Sequence, residues 1–71
     1  MLSFTTKDSG REIHIYCDDA GIAKLIDVLR KLRASGHIHL RAPPAGGNEM
    51  SCKNPFGEEA AVEVIISHGG D

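Results

Sequence analysis

The chain is poor in most features that would announce a function. It has no surplus of positive charge: eight Lys and Arg stand against ten Asp and Glu, for a formal net charge of −2 over 71 residues. A basic face is the footprint of nucleic-acid binding, so no nucleic-acid partner is expected. No window approaches the roughly 18–20 apolar residues that a membrane span needs, so no membrane partner is expected either. Residues 1–7 lack a basic stretch followed by an apolar run, so no signal peptide is visible. Only two cysteines are present. In a chain without a leader they point to reduced thiols in a cytoplasm rather than a disulfide scaffold.

Catalytic and cofactor motifs are missing as well. There is no C-x-x-C or H-x-x-x-H pair. Cys52 is the one loop cysteine, and the sequence sets no histidine and acid beside it, as nucleophilic catalysis needs. Glu58 and Glu59 point to opposite sides if a strand starts there, which excludes a carboxylate dyad. Gly46-Gly47 neither follows a strand-Gly-x-Gly pattern nor opens a helix, so a phosphate loop is unsupported. The expectation is a non-enzyme without a cofactor.

What is present is a clear pattern of elements. A chain this short buries only about 60% of its unfolded surface, so residues 1–71 form a single domain with one small core. Residues 2–6 and 11–17 alternate apolar and polar across the turn Lys7-Asp8-Ser9-Gly10, which predicts a β-hairpin. Asp18 and Asp19 offer an N-cap. From residue 20 to 33 the period becomes helical, with Ile22, Leu25, Ile26, Val28, Leu29 and Leu32 in one stripe and Lys24, Asp27 and Lys31 opposite. Gly36 is a natural stop. His37 to Arg41 is a short strand ended by Pro43-Pro44. Residues 42–60 read as a long loop, and such a length in so small a domain points to function. A last strand runs from residue 60 or 61 to 68, and residues 69–71 are a frayed tail.

The order β-β-α-β-β predicts an α+β fold: a two-layer sandwich with one helix packed on one face of a four-stranded sheet. The third strand would run parallel to the second after a right-handed crossover. Ile13, Ile15, Ile38, Leu40, Val62, Val64 and Ile66 should lie under the helix. The opposite face should carry Glu12, His14, Tyr16, His37, His39, Arg41, Glu63 and Ile65, bordered by the loop. That face is either a solvated sheet surface or a recognition surface for which Tyr and Arg are usual anchors. His14, Tyr16, His39, Arg41, Asn48 and Glu49 are the candidate partner contacts. His37 and His39 lie about 7 Å apart along one strand face. With His14 from another strand they are an alternative zinc-ligand set; the reading here assigns no metal.

The stretch "IYCDDAGIAKLIDVLRKLRASGHIHLRAP", followed by a glycine pair with "NEMS" and a terminal strand, resembles the immunity protein 32 family of bacterial polymorphic toxin systems. The resemblance lies in the "D-x-A-G" helix start, Asp18 to Gly21, and the "L-I-x-x-L-x-x-L" helix, Leu25 to Leu32. It continues through "H-I-H-L", His37 to Leu40, and the glycine-bearing loop, Gly46 to Ser51. Ala45 stands where the family often has an aromatic residue before the glycine pair. The resemblance implies a non-enzymatic inhibitor that binds a cognate protein toxin in the producing cell. The alternative is a small homodimeric or zinc-binding module that uses the open sheet face.

Overall fold

The structure, a computed structural model, describes residues 1–69. Of the expected tail 69–71, Gly70 and Asp71 lie outside the described residues. The elements follow the expected order: β1 (Leu2–Lys7), β2 (Glu12–Cys17), α1 (Asp19–Ser35), β3 (His37–Arg41) and β4 (Glu63–Ser67). Among the described residues the fold is α+β, with one α-helix and four strands.

Local chemistry accounts for each boundary. Positive φ at Asp8 (51°), Ser9 (55°) and Gly10 (84°) turns β1 into β2, matching the right-handed twist of the hairpin. The Asp18 carboxylate accepts from the Gly21 N–H and caps α1. Gly36 ends the helix by donating its N–H to the Leu32 carbonyl. Asp27 and Lys31 form the expected i,i+4 ion pair at 3.0 Å. Among the described residues, no helix is long and apolar enough to cross a membrane.

The expected four-stranded sheet is not formed. The strands make two separate antiparallel pairs, β1–β2 and β3–β4, and β3 does not run beside β2. Residues 42–62 join the two pairs through the β1 edge instead. Ser51 donates its N–H to the Leu2 carbonyl and Ala61 donates to the Phe4 carbonyl, so the far edge of β1 is already taken. Ala42 donates to the Val62 carbonyl. The chain thus crosses from one hairpin to the other at residues 61 and 62. This delays β4 to Glu63 and leaves Val62, expected inward, exposed.

The long connection is itself folded. Pro43–Ala45 forms a 3-10 turn closed by Gly46 in the left-handed region. Met50 and Asn54 are buried, and Lys53 bridges Glu59. Asn54 organises the 54–58 turn. Its side-chain oxygen accepts from the N–H groups of Phe56 and Glu58, and its amide donates to Glu58 Oε1 at 2.8 Å and Thr5 Oγ1 at 3.4 Å. Ser3 and Thr5, on the side of β1 turned away from the core, are therefore buried beneath this segment.

The core consists of Leu2, Phe4, Val28, Leu40, Ala42 and Met50, with Ile38, Val64 and Ile66 packed against it. The expected inward side of β3 and β4 is thus borne out. That of β2 is not. Ile13 and Ile15 are on the Phe4 side by register but remain 66% and 50% exposed. The helix buries Gly21 and Val28 and leaves Ile22, Ile26 and Leu29 about half exposed.

Candidate functional site

Alternation along β3 turns His37, His39 and Arg41 away from the core, because Ile38 and Leu40 are drawn into it. Pairing with β4 sets Glu63 opposite Arg41 and Ile65 opposite His39. Glu63 Oε2 is the centre of the resulting cluster. It lies 2.8 Å from His39 Nδ1 and accepts from Arg41 Nε at 2.9 Å. A ring nitrogen that close to a carboxylate oxygen carries its hydrogen. The 3.4 Å approach of Arg41 Nη2 to the same Nδ1 is then a contact and not a hydrogen bond. The hydrogen bonds from His39, and then from Arg41, hold the Glu63 carboxyl below its ordinary pKa. His37 packs edge-on to His39, with ring centroids 5.2 Å apart. Ile65, 55% exposed, adds an apolar element to this surface.

The adjoining loop is tied to the edge of β3. Glu49 donates its N–H to the Arg41 carbonyl, and its carboxylate accepts from the Arg41 N–H at 3.2 Å and the Asn48 N–H at 3.0 Å. The two backbone donors, Asn48 foremost, lower the Glu49 pKa. This closeness needs Gly47: a Cβ there would stand 2.6 Å from Arg41 Cβ. Asn48 and Glu49 line an open cleft of about 300 Å³ with Leu2, Ala20, Gly21 and Lys24. They border the open face without lying on it.

His14 and Tyr16 belong to the other hairpin. Tyr16 meets Phe56 edge-on at 5.8 Å and His14 face-on at 6.4 Å. His14 Nε2 lies 2.9 Å from Glu12 Oε1. Lys7 bonds Glu58 at 3.0 Å, which fastens the Phe56 turn to β1. The expected single face is therefore two surfaces: an ionic one on β3–β4 and an aromatic one where the 54–58 turn meets β2.

Of the six expected partner contacts, the structure joins His39 to Arg41, and Arg41 through its backbone to Asn48 and Glu49. His14 and Tyr16 stand apart. The alternative metal set is not assembled, because His14 is on a different sheet from His37 and His39. Among the described residues, no group of three or more His, Cys, Asp or Glu is placed to hold a metal ion. Sequence reasoning placed Glu63 on this face but did not single it out, and it missed Phe56 altogether. The spacing Asn54-Pro55-Phe56-Gly57 is a turn signature that raises its second residue pair to a tip. Scanned against models of protein families, against curated proteins and against solved structures, the chain matches none.

Proposed function

We propose that this chain is a small non-enzymatic binding protein, an immunity protein that neutralises a co-encoded bacterial toxin by direct contact. In this reading α1 is one layer and the hairpins are the other, and the outer face of β3–β4 meets the toxin. The observation that carries it is the exposed His39–Arg41–Glu63 cluster flanked by Ile65. An arginine held in a fixed orientation by a carboxylate, beside an apolar side chain, suits a protein interface. The resemblance of the helix and the "HIHL" strand to immunity proteins supports the same reading.

The test is co-expression with the toxin encoded by the neighbouring gene. Growth rescue and a co-purifying complex are expected. Arg41→Ala and Ile65→Asp should each reduce rescue while the far-ultraviolet circular dichroism stays unchanged. A toxin that kills cells regardless of this protein, and forms no complex with it, would overturn the proposal.

A further inference from the structure

The exposed aliphatic residues are not scattered. Ile13 and Ile15 share the Phe4 side of the first hairpin. At 100° per residue, Leu29, Ile22 and Ile26 adjoin, on one flank of α1, the direction of the buried Gly21 and Val28 and the half-buried Leu25 and Leu32. The other flank, with Ala20 and Lys24, faces Asn48 and Glu49 across the cleft. The apolar flank therefore faces away from that cleft. With Ile13 and Ile15 of β2 it makes five large aliphatic side chains, each between 44% and 66% exposed.

The backbone beside that surface is also unsatisfied. Asp18 donates its N–H to the Met1 carbonyl, which extends the β1–β2 register by one hydrogen-bonded pair. Hydrogen-bonded pairs alternate along an antiparallel ladder. His14 and Tyr16 thus bond to β1, and the N–H and C=O groups of Ile13 and Ile15 point outward. On β1 the same alternation turns the Leu2 and Phe4 carbonyls outward, where Ser51 and Ala61 bind them. Among the described residues, none covers the outer edge of β2 in this way. Nor does β2 carry the proline, lysine or bulge that usually guards an edge strand.

We propose that β2 pairs antiparallel with β2 of a second copy of this chain, giving a continuous four-stranded sheet β1-β2-β2-β1 across a two-fold axis. Because only odd-numbered residues present outward groups, odd must meet odd, and the register centred on His14 is the one that sets Ile13 and Ile15 of one copy against Ile15 and Ile13 of the other. Both helices then lie on the same side, and the two aliphatic surfaces become continuous. Charge argues against the neighbouring register centred on Ile15. Centring the axis on Ile15 would oppose Glu12 to Asp18 of the second copy, and like charges directly opposite are unfavourable. Centring it on His14 opposes Ile13 to Ile15, Glu12 to Tyr16 and Arg11 to Cys17. Arg11 then lies opposite Cys17, beside the exposed acidic Asp18–Asp19 helix start of the second copy, and the two-fold brings these opposite charges together twice. The surface is distinct from the β3–β4 face, so this inference does not depend on the toxin-binding reading.

Sedimentation equilibrium of the purified chain tests it. A mass twice the 7.6 kDa of one chain is expected. Ile15→Lys and Ile26→Glu should each weaken the dimer at least tenfold while leaving a folded monomer, since both side chains are exposed in the single copy. Lys24→Glu, on the opposite flank, should leave the mass unchanged. His14 would oppose itself as a non-hydrogen-bonded pair with Cα atoms about 4.5 Å apart, within disulfide range. His14→Cys should therefore form an intermolecular disulfide on mild oxidation, faster than the wild-type chain. The proposal is overturned by a monomeric wild type from micromolar to near-millimolar concentration. A dimer that survives the Ile15→Lys, Ile26→Glu double variant would overturn it equally.

Discussion

The two hairpins are built from similar alternating strands, yet they are finished differently. In the first, β1 is sealed on all sides. Leu2 and Phe4 enter the core, Ser3 and Thr5 are buried under the 50–61 segment, and its outer edge bonds to Ser51 and Ala61. Among the described residues, none bonds to the outer edge of its partner β2. In the second hairpin, one side of both strands is packed and the other is exposed, with its charges neutralised among themselves. In so small a chain the long connection can cover only one hairpin. Covering the first leaves the second free to present an ionic surface.

The largest effect should come from removing what both hairpins share. Leu40 is 1% exposed, and Leu40→Ala should cost roughly 2–5 kcal/mol, read as a lower urea midpoint, with both hairpins losing amide protection together. Next, Asn54→Ala should separate the two hairpins. Loss of its hydrogen bonds leaves buried partners unsatisfied, at about 2 kcal/mol. Hydrogen exchange should accelerate across the 52–60 segment and β1 well before β3–β4. A uniform acceleration would show that the connection is not an independent cover.

Acid should act on both hairpins. Glu58, bonded first by Asn54 and then by Lys7, and Glu63, bonded first by His39 and then by Arg41, have lowered folded pKa values. Their contributions are fully present above the ordinary carboxylate value of about 4 and are lost as pH falls through the lowered folded values. Lys7 is shifted upward by its hydrogen bond to Glu58. Its contribution is present below the ordinary lysine value and disappears as pH rises through the raised one. Thermal melts of the wild type and Glu58→Gln across acid pH should converge as the pH falls. The smallest effect on stability is expected for Glu63→Gln, because an exposed ion pair is largely screened by solvent. The same substitution frees Arg41. On the proposed function it should weaken toxin binding on the order of tenfold, about 1.4 kcal/mol, measured by calorimetry. A large loss of stability with unchanged binding would reverse the assigned roles of the two hairpins.

Much of this organisation was legible in the residues. The helix boundaries follow from Asp18 and Gly36, and the first hairpin follows from its turn. Periodicity alone placed His39 and Arg41 opposite Ile38 and Leu40. These are local signals, each set by neighbours a few positions away. The divided sheet was not legible, because it depends on Ser51 and Ala61 reaching Leu2 and Phe4, and no periodicity encodes such a distant bond. The alternation of β2 identified which side Ile13 and Ile15 take, but not that they would stay exposed there. The site followed the same division. His39 with Arg41 was readable from one strand. Glu63 needed the register of a second strand, and the Tyr16–Phe56 contact needed the fold of the loop. His14 was grouped with the other histidines only on the assumption of one sheet.

The crossing at residues 61 and 62 also bears on how the chain reaches this structure. Both hairpins and the helix contain their own hydrogen bonds, but only β1–β2 and α1 close over short stretches of chain. The second hairpin must enclose the whole 42–62 segment. The bonds from Ala61 to Phe4 and from Ser51 to Leu2 join the most distant parts of the sequence. Closing such loops costs entropy before any contact compensates it. The first hairpin and helix are therefore expected to form early, with the clasp as the late, rate-limiting step. Substitutions at Ala61 should chiefly accelerate unfolding, whereas changes in the 7–10 turn should chiefly slow folding.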